Sequence, residues 1–220
     1  MSVKKADGTT EKKVLVLGVT GALYNSNVLF YDREQKGLWS QLSMRAVSGP
    51  LVGTELRHLP SRILPFGLFR GLYPGARVLS RDTGHNRMYQ RSPYDAYFAR
   101  KKLMVPMKEH GDALPIMTAG IGILDGAKAW FVVADSIGDG KTIETPRGAV
   151  VLTASKNAKG MWSISADRVP EGVQTAQTFY YSWSAFHPST EVVGKEALES
   201  EKGADEGSKD DEGSKDGAGR

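Results

Sequence analysis

Groups that can exchange protons or anchor a ligand are concentrated in residues 79–89, LSRDTGHNRMY. Asp82 can accept hydrogen bonds from a neighbouring arginine such as Arg81, and Thr83 can cap it. His85 has the side chain whose ordinary pKa lies nearest neutral pH. We therefore take Asp82 and His85 as candidate catalytic residues, with Arg81 and Thr83 as candidate ligand contacts. The alternative is a hydrogen-bonded turn that carries a surface histidine.

A third candidate catalytic residue is His187. It follows Trp183 by four residues, which places both on one face of a helix, and Pro188 ends that helix. The chain has four histidines, and no two have the spacing of a metal-binding pair. We assign no metal ligand from the sequence, although a site assembled in three dimensions stays open. The competing interpretation is a core or turn histidine bonded to backbone.

Residues with polar tips cluster among apolar ones just after the N-terminal segment. Tyr24, Asn25, Asp32 and Trp39 are the candidate ligand-binding residues of this cluster. In a strand, Tyr31 and Asp32 point to opposite faces, so one of them points inward unless the strand lies at an edge. Buried polar groups need partners. The sequence allows either a ligand pocket lined by Trp39 and the tyrosines or a hydrogen-bonded turn around Asp32.

Two glycine-containing stretches resemble phosphate-binding loops. In VLVLGVTGALYNSNVLFYD, residues 14–32, Tyr24 occupies the third glycine position, and the following residues are typical of strands rather than of a crossover helix. We predict a glycine-permitted turn or bulge there. In GDGKTIE, residues 138–144, the required first glycine is replaced by Asp135. A hairpin turn is the expected structure of that stretch.

Short β-rich runs separated by Gly, Pro, Asn or Asp position these groups. The predicted strands are residues 14–17, 28–32, 77–80, 115–124, 127–133, 149–154 and 161–165. Asp125-Gly126 between two apolar runs indicates a hairpin. Helices are predicted at residues 92–103 and 176–186.

A weak internal repeat emerges when Trp39 and Trp162 are placed in register, because KGLWS then matches KGMWS. The same comparison pairs Phe66 with Tyr180, Phe69 with Trp183, and Tyr73 with His187. We predict a mainly β, β-rich α+β fold. It consists of two related antiparallel β units, residues 14–110 and 111–193, with short aromatic helices.

The ends of the chain differ from its body. DEGSKD occurs at residues 205–210 and again at 211–216, and the net charge of the whole chain is +4. Such a segment cannot bury enough apolar area to offset the entropy cost of ordering, so residues 194–220 are predicted to be a disordered acidic tail. We expect a flexible segment at residues 1–12 and one globular domain at 13–193, more basic than the chain as a whole.

Composition excludes several function classes. The chain has no cysteine, so it has no disulfide, thiolate metal site or thiol nucleophile. No signal peptide or membrane span is recognisable, which favours a soluble or peripheral protein, cytoplasmic by default. Eight arginines interleave with aromatic residues between 57 and 100. They can bind a polyanion, but no nucleic-acid-binding motif is present, so nucleic acid is an unlikely partner.

Five blocks in fixed order carry a family resemblance: GALYNSNVLFYDREQKGLWSQL, GPLVGTEL, VLSRDTG, SPYDAYF and WSAFHPSTEV. In these blocks the chain resembles the prokaryotic family known as domain of unknown function 3179, which implies no established activity. Members also share an upstream Cys-Pro-Leu-Cys type segment that this chain lacks, as expected of a shortened form or a late start. Phe69 and Tyr73-Pro74 stand where the family usually has tryptophan and His-Pro, so a symmetric pair of histidine sites is excluded.

The expected function is a small-ligand site or an unassigned enzymatic activity near YNSN, SRDTG and HPST, with no cofactor identified. The alternative is a non-catalytic protein-interaction or scaffolding domain. Polyanion binding through the arginine-rich stretch is the less favoured third hypothesis.

Overall fold

The structure, a computed structural model, is built mainly of antiparallel sheets, which confirms the predicted fold class. It describes residues 2–4, 10–12, 14–56, 59, 61–89, 94, 97, 100, 103, 105, 107, 110–157, 160–196 and 198. The predicted acidic tail beyond residue 198 lies outside the described residues, as does most of the predicted helix at 92–103. Strands β1, Ser2–Lys4, and β2, Thr10–Lys12, pair within the stretch that was expected to be flexible.

Four antiparallel strands in chain order form the N-terminal sheet. They are β3, Leu17–Tyr24; β4, Asn27–Asp32; β5, Leu38–Ser40; and β6, Arg45–Ser48. The register between β3 and β4 shifts between Val19 and Leu23, where the Thr20 hydroxyl donates to the Leu29 carbonyl at 2.8 Å. The bulge predicted for this glycine-containing stretch is therefore confirmed, and the stretch does not form a phosphate-binding turn.

A two-residue turn joins β3 to β4. Asn25 and Ser26 both have left-handed φ angles, 47° and 56°. Positive φ at both central positions is typical of the hairpin turn that matches strand twist, and Asn tolerates it better than most residues. This turn places the YNSN segment at one end of the N-terminal sheet.

Between β6 and helix α1, Phe66–Leu72, the described residues form little regular structure, and α1 buries none of its residues. The strand predicted at residues 77–80 is wrong, because these residues are exposed and have no strand partner within the described part of the chain. β-propensity alone does not form a strand, since the ladder of hydrogen bonds needs a neighbour.

The second half of the chain forms two sheets. Its elements are β7, Ala119–Asp125; β8, Lys128–Val133; a 3₁₀ turn, Ala134–Ser136; β9, Lys141–Thr145; β10, Gly148–Lys156; β11, Trp162–Arg168; β12, Gln174–Phe179; helix α2, Tyr180–Ser184; and β13, Glu191–Val193. One sheet has the order β12-β7-β8-β13 and the other β11-β10-β9. Strand β13 runs parallel to β8, unlike the antiparallel pairs around it. The core lies between these two sheets.

Three local sequence predictions, a hairpin, a turn and a helix, fall in the second half of the chain. The Asp125-Gly126 hairpin is confirmed, with Gly126 at φ 60°. The stretch at residues 138–144 is a connection between two sheets rather than a hairpin turn, because β8 pairs with β7 whereas β9 pairs with β10. The helix predicted at 176–186 covers only Tyr180–Ser184, because the preceding residues extend β12 along β7. The internal repeat and the domain bounds stay predictions.

No helix in the described part of the chain is long and apolar enough to cross a membrane.

Candidate functional site

Asp32 holds together the loop between β4 and β5. Its carboxylate is fully buried and accepts hydrogen bonds from the Gly37 N–H at 3.0 Å and the Trp39 indole N–H at 2.9 Å. The Gln35 N–H also donates to it. The loop is thus a hydrogen-bonded turn around Asp32, one of the two arrangements that the sequence allowed.

These hydrogen-bond donors favour the ionised form of Asp32. Burial raises the pKa of this carboxyl, but the hydrogen bonds from Trp39 and from the loop N–H groups outweigh burial and lower it below 3.8. Trp39 has no exposed surface. In this structure Asp32 and Trp39 therefore stabilise the N-terminal sheet, and a role in ligand binding stays a prediction.

The YNSN and HPST segments come together although about 160 residues separate them in sequence. The Asn25 side-chain amide donates to the Ala185 carbonyl at 3.1 Å. The Tyr24 and Phe186 rings meet edge to face with centroids 5.2 Å apart. Two of the three segments predicted to form one site therefore do adjoin.

His187 lies at this junction, stacked on Trp183 with ring centroids 4.1 Å apart. Its Nε2 is 3.3 Å from the Leu42 carbonyl oxygen. Burial, assisted by the charge of Arg45, lowers the pKa of His187 below 6.5, against the opposing effect of the Leu42 carbonyl. Because a carbonyl oxygen only accepts, Nε2 carries the proton, and the imidazole is neutral near pH 7.

The third segment, SRDTG, stands apart. Arg81, Asp82, Thr83 and His85 are exposed. Their hydrogen bonds within the described residues are local: the Asp82 N–H donates to the Ser80 hydroxyl, and the Thr83 and Tyr89 hydroxyls are 2.7 Å apart. No contact found among those residues joins this segment to His187 or to Trp39. Its catalytic role stays a prediction.

A cavity of about 460 Å³ lies between the segment around α1 and strands β11 and β12. Its lining combines apolar, aromatic and charged side chains: Ser61, Arg62, Leu64, Phe69, Tyr73, Ala166, Asp167, Val169, Val173 and Thr175. Its volume is in the range typical of sites for small organic ligands.

One side of the cavity is a fixed polar network. Arg62 pairs with Asp167 at 3.0 Å, and Asp167 also accepts from the hydroxyls of Ser165 at 2.6 Å and Thr153 at 2.8 Å. Burial raises the pKa of Asp167, but these two hydroxyls and the Arg62 charge lower it below 3.8 overall. Asp167 therefore stays ionised and holds Arg62 in place.

Another part of the cavity lining is aromatic. Phe69 and Tyr73 lie four residues apart on and just after α1, with ring centroids at 5.5 Å and planes tilted by 44°. The approach to α1 is anchored to β11 by the Ser163 hydroxyl, which donates to the Ile63 carbonyl at 2.8 Å. Segments from both halves of the chain therefore build this cavity.

A family model described as "Protein of unknown function (DUF3179)" matches residues 2–177. The chain belongs to this family. No curated protein and no solved structure matches it. Membership in the DUF3179 family assigns no reaction, so the functional argument for this DUF3179 domain depends on its own geometry.

Sequence reasoning did not single out Arg62 or Asp167, which line the cavity. Two signals pointed towards the cavity: the arginine-rich, aromatic-interleaved stretch that contains Arg62, and the repeat register that pairs Phe69 and Tyr73 with Trp183 and His187. Neither signal predicts Asp167, which meets Arg62 across 105 residues of chain.

Metal binding has no support from side-chain geometry in the described ranges. No group of three or more His, Asp or Glu side chains converges there as ligands of a metal ion do. The acidic residue of the cavity is already engaged by Arg62 and two hydroxyls.

Proposed function

We propose that this DUF3179 domain binds a small organic ligand in the cavity between α1 and strands β11 and β12. The observation that carries the proposal is the cavity's composition, which combines two aromatic rings with an arginine held by an ion pair and its hydrogen bonds. Ligand sites in proteins typically combine apolar surface with a few fixed polar groups.

The sequence instead placed the site near YNSN, SRDTG and HPST, and the side chains around HPST already have partners within the chain. The Trp183 and His187 rings already stack on each other, Trp183 donates to the Thr190 hydroxyl at 2.9 Å, and His187 contacts Leu42. These groups are engaged within the chain. By contrast, Phe69 and Tyr73 line open space.

The test obstructs the cavity and the HPST segment in two separate variants. Ser61 lies on the cavity lining and is exposed, whereas Ser189 is exposed in the HPST segment. We would record ligand-observed NMR spectra of the full chain with a library of small organic fragments, and repeat them with Ser61→Trp and Ser189→Trp. The two variants introduce the same bulky group at different places, so each serves as the control for the other.

We expect Ser61→Trp to abolish binding of the fragments that the unaltered chain recognises, and Ser189→Trp to leave it unchanged. If only Ser189→Trp abolishes binding, the site lies at the HPST junction, and the cavity proposal is wrong. If no fragment binds, or if both variants bind as the unaltered chain does, the proposal is also wrong. Circular dichroism checks that both variants fold.

A second candidate function, protein interaction without catalysis, is favoured by the edge strand β3. Among the described residues this strand has one hydrogen-bonded neighbour, β4, and large apolar side chains along it and just before it are exposed: Val14, Val16, Leu17, Val19 and Leu23. Exposed apolar edge strands tend to pair with other chains. Light scattering tests this: concentration-dependent association that Val19→Lys abolishes supports it, and a monomer at every concentration rejects it.

A further inference from the structure

We propose, as a step that depends on the proposed function, that the cavity selects a small organic acid. Its carboxylate would bind Arg62, and its apolar or aromatic body would lie against Phe69 and Tyr73. The proposal follows from counting the hydrogen-bond donors and acceptors that the cavity leaves unused.

Arg62 has donors to spare. A guanidinium carries five N–H groups in a rigid fork. One nitrogen, Nη2, donates to Asp167 at 3.0 Å, and no other acceptor contacts the Arg62 guanidinium among the residues that the structure describes. Its side chain is 38% exposed and borders the cavity, so the remaining donors are accessible. A carboxylate matches this planar fork with two parallel hydrogen bonds.

Asp167, in contrast, has little capacity left. Its Oδ1 accepts from Arg62 and from the Ser165 hydroxyl, and its Oδ2 accepts from the Thr153 hydroxyl. Three of the roughly four acceptor positions of this carboxylate are thus used, and Arg62 already compensates its charge, so Asp167 offers a ligand ammonium group less than Arg62 offers a carboxylate. Asp167 is therefore a positioning residue for Arg62, and the free polar capacity of the cavity favours an acceptor.

The remaining lining residues determine which kind of group can accompany the carboxylate in the ligand. Apart from Ser61, Thr175 and the ion pair, the lining side chains are apolar or aromatic. The Phe69 and Tyr73 rings stand side by side on one wall. An aromatic ring or short hydrocarbon chain attached to the carboxylate removes apolar surface from water on binding. A highly charged phosphate ester fits this lining less well.

The ion pair between Arg62 and Asp167 also determines how ligand binding should depend on salt concentration. Asp167 compensates the charge of Arg62, so the attraction for the acid acts at hydrogen-bond distance and produces no long-range field. We therefore expect affinity to change little with salt concentration. Polyanion binding through the exposed arginines predicts the opposite, a steep loss of affinity with salt.

Three probes with the same ring and different head groups test the ligand class: phenylacetate, 2-phenylethanol and 2-phenylethylamine. Dissociation constants are measured by protein-observed NMR titration of the full chain at neutral pH. We expect phenylacetate to bind about tenfold more tightly than the alcohol or the amine, as one charge-assisted interaction implies. Arg62→Gln should remove that preference and leave 2-phenylethanol unchanged.

The control variant is Arg70→Gln, because Arg70 is exposed on α1 and absent from the lining of the cavity. It should preserve the preference for phenylacetate. Asp167→Asn should change phenylacetate binding by less than Arg62→Gln does, since it keeps the guanidinium that binds the carboxylate.

Several outcomes overturn the inference. Tighter binding of the amine or the alcohol, equal effects of Arg62→Gln and Arg70→Gln, or no binding of any probe each excludes an acid-selective cavity. None of them decides the proposed function, which depends on whether Ser61→Trp abolishes fragment binding. If the chain shows no preference for phenylacetate but Ser61→Trp still abolishes fragment binding, the cavity binds ligands of another chemical class.

Discussion

Two aromatic pairs with the same spacing have different surroundings in this protein. Trp183 and His187 stack at 4.1 Å beside α2, whereas Phe69 and Tyr73 lie 5.5 Å apart beside α1. We call them the closed pair and the open pair. In each, an aromatic residue within a short helix meets a second ring one helical turn later.

The difference arises from the neighbours of each helix. Every residue of α2 is buried, and the β3–β4 turn covers its C-terminal end through Asn25. Gly122 on β7 also lies directly against the Trp183 ring, where a larger residue would overlap it. No residue of α1 is buried, and Phe66 is 58% exposed. The same local pattern therefore forms core in one place and the wall of a cavity in the other.

The largest expected difference is in the free energy of unfolding after truncation of each pair. Trp183→Ala removes a fully buried indole and leaves its Thr190 partner unpaired, so we expect a loss of about 3–5 kcal/mol. Phe69→Ala, at a half-buried position beside the cavity, should cost about 1 kcal/mol or less. Urea denaturation measures both. Similar losses would mean that the open pair is core as well.

Asp32 gives the next largest effect, because it stabilises the N-terminal sheet that covers the closed pair. Asp32→Asn replaces a carboxylate oxygen with an amide donor that faces the N–H groups of the turn and Trp39. We expect a loss of about 2–4 kcal/mol in the free energy of unfolding. The matched control is Asp82→Asn, an exposed carboxyl, for which we expect a change within about 0.5 kcal/mol. Equal effects would contradict the structural role of Asp32.

Two glycine substitutions should change stability in opposite directions. A methyl group at Gly122 would overlap the rigid Trp183 ring, so Gly122→Ala should destabilise by about 1–3 kcal/mol. A methyl group at Gly71 on α1 would meet open space, and alanine is the better helix former, so Gly71→Ala should stabilise by about 0.5–1 kcal/mol. Thermal denaturation distinguishes the signs. Destabilisation by Gly71→Ala would show that α1 is packed.

The smallest effect is a pH dependence of stability from His187. Its pKa in the folded protein lies below 6.5, so the unfolded chain takes up this proton first as the pH falls. The free energy of unfolding therefore decreases as the pH drops below about 6.5, and His187 contributes no pH dependence above that value. His187→Gln should flatten this part of the stability curve, measured by urea denaturation between pH 7.5 and about pH 5.

Arg45→Gln provides a second test of the pH dependence that arises from His187. The Arg45 charge opposes protonation of His187, so its removal should reduce the pH dependence without eliminating it. Parallel curves for the unaltered chain and His187→Gln would exclude this linkage.

The sequence was informative where structure is local. The Asp125-Gly126 turn predicted a hairpin, and the aromatic run around Trp183 predicted a helix, because turn chemistry and capping by proline act within a few residues. The short strands β5 and β6 were missed, since their pairing depends on β4 rather than on a long apolar pattern. Residues 77–80 have strand-like composition but no strand partner in the ranges that the structure describes.

The cavity could not be predicted from the sequence, for the same physical reason. Arg62 and Asp167 meet only after the segment before α1 reaches β11, and neither residue is surrounded by a motif that marks the other. The YNSN and HPST segments were named together, yet their contact through Asn25 and Ala185 depends on the relative position of two sheets. SRDTG has an equally conspicuous composition and stays at the surface.

The contact between the β3–β4 turn and α2 also affects how the chain is made. Asn27 and Ser182 bond across 155 residues, so the N-terminal sheet leaves the ribosome long before the segment that covers it. At typical elongation rates this interval is roughly 8–30 s. During that time the end of the sheet that α2 later contacts is exposed to solvent. A helix synthesised late thus completes the packing of a sheet that was synthesised early.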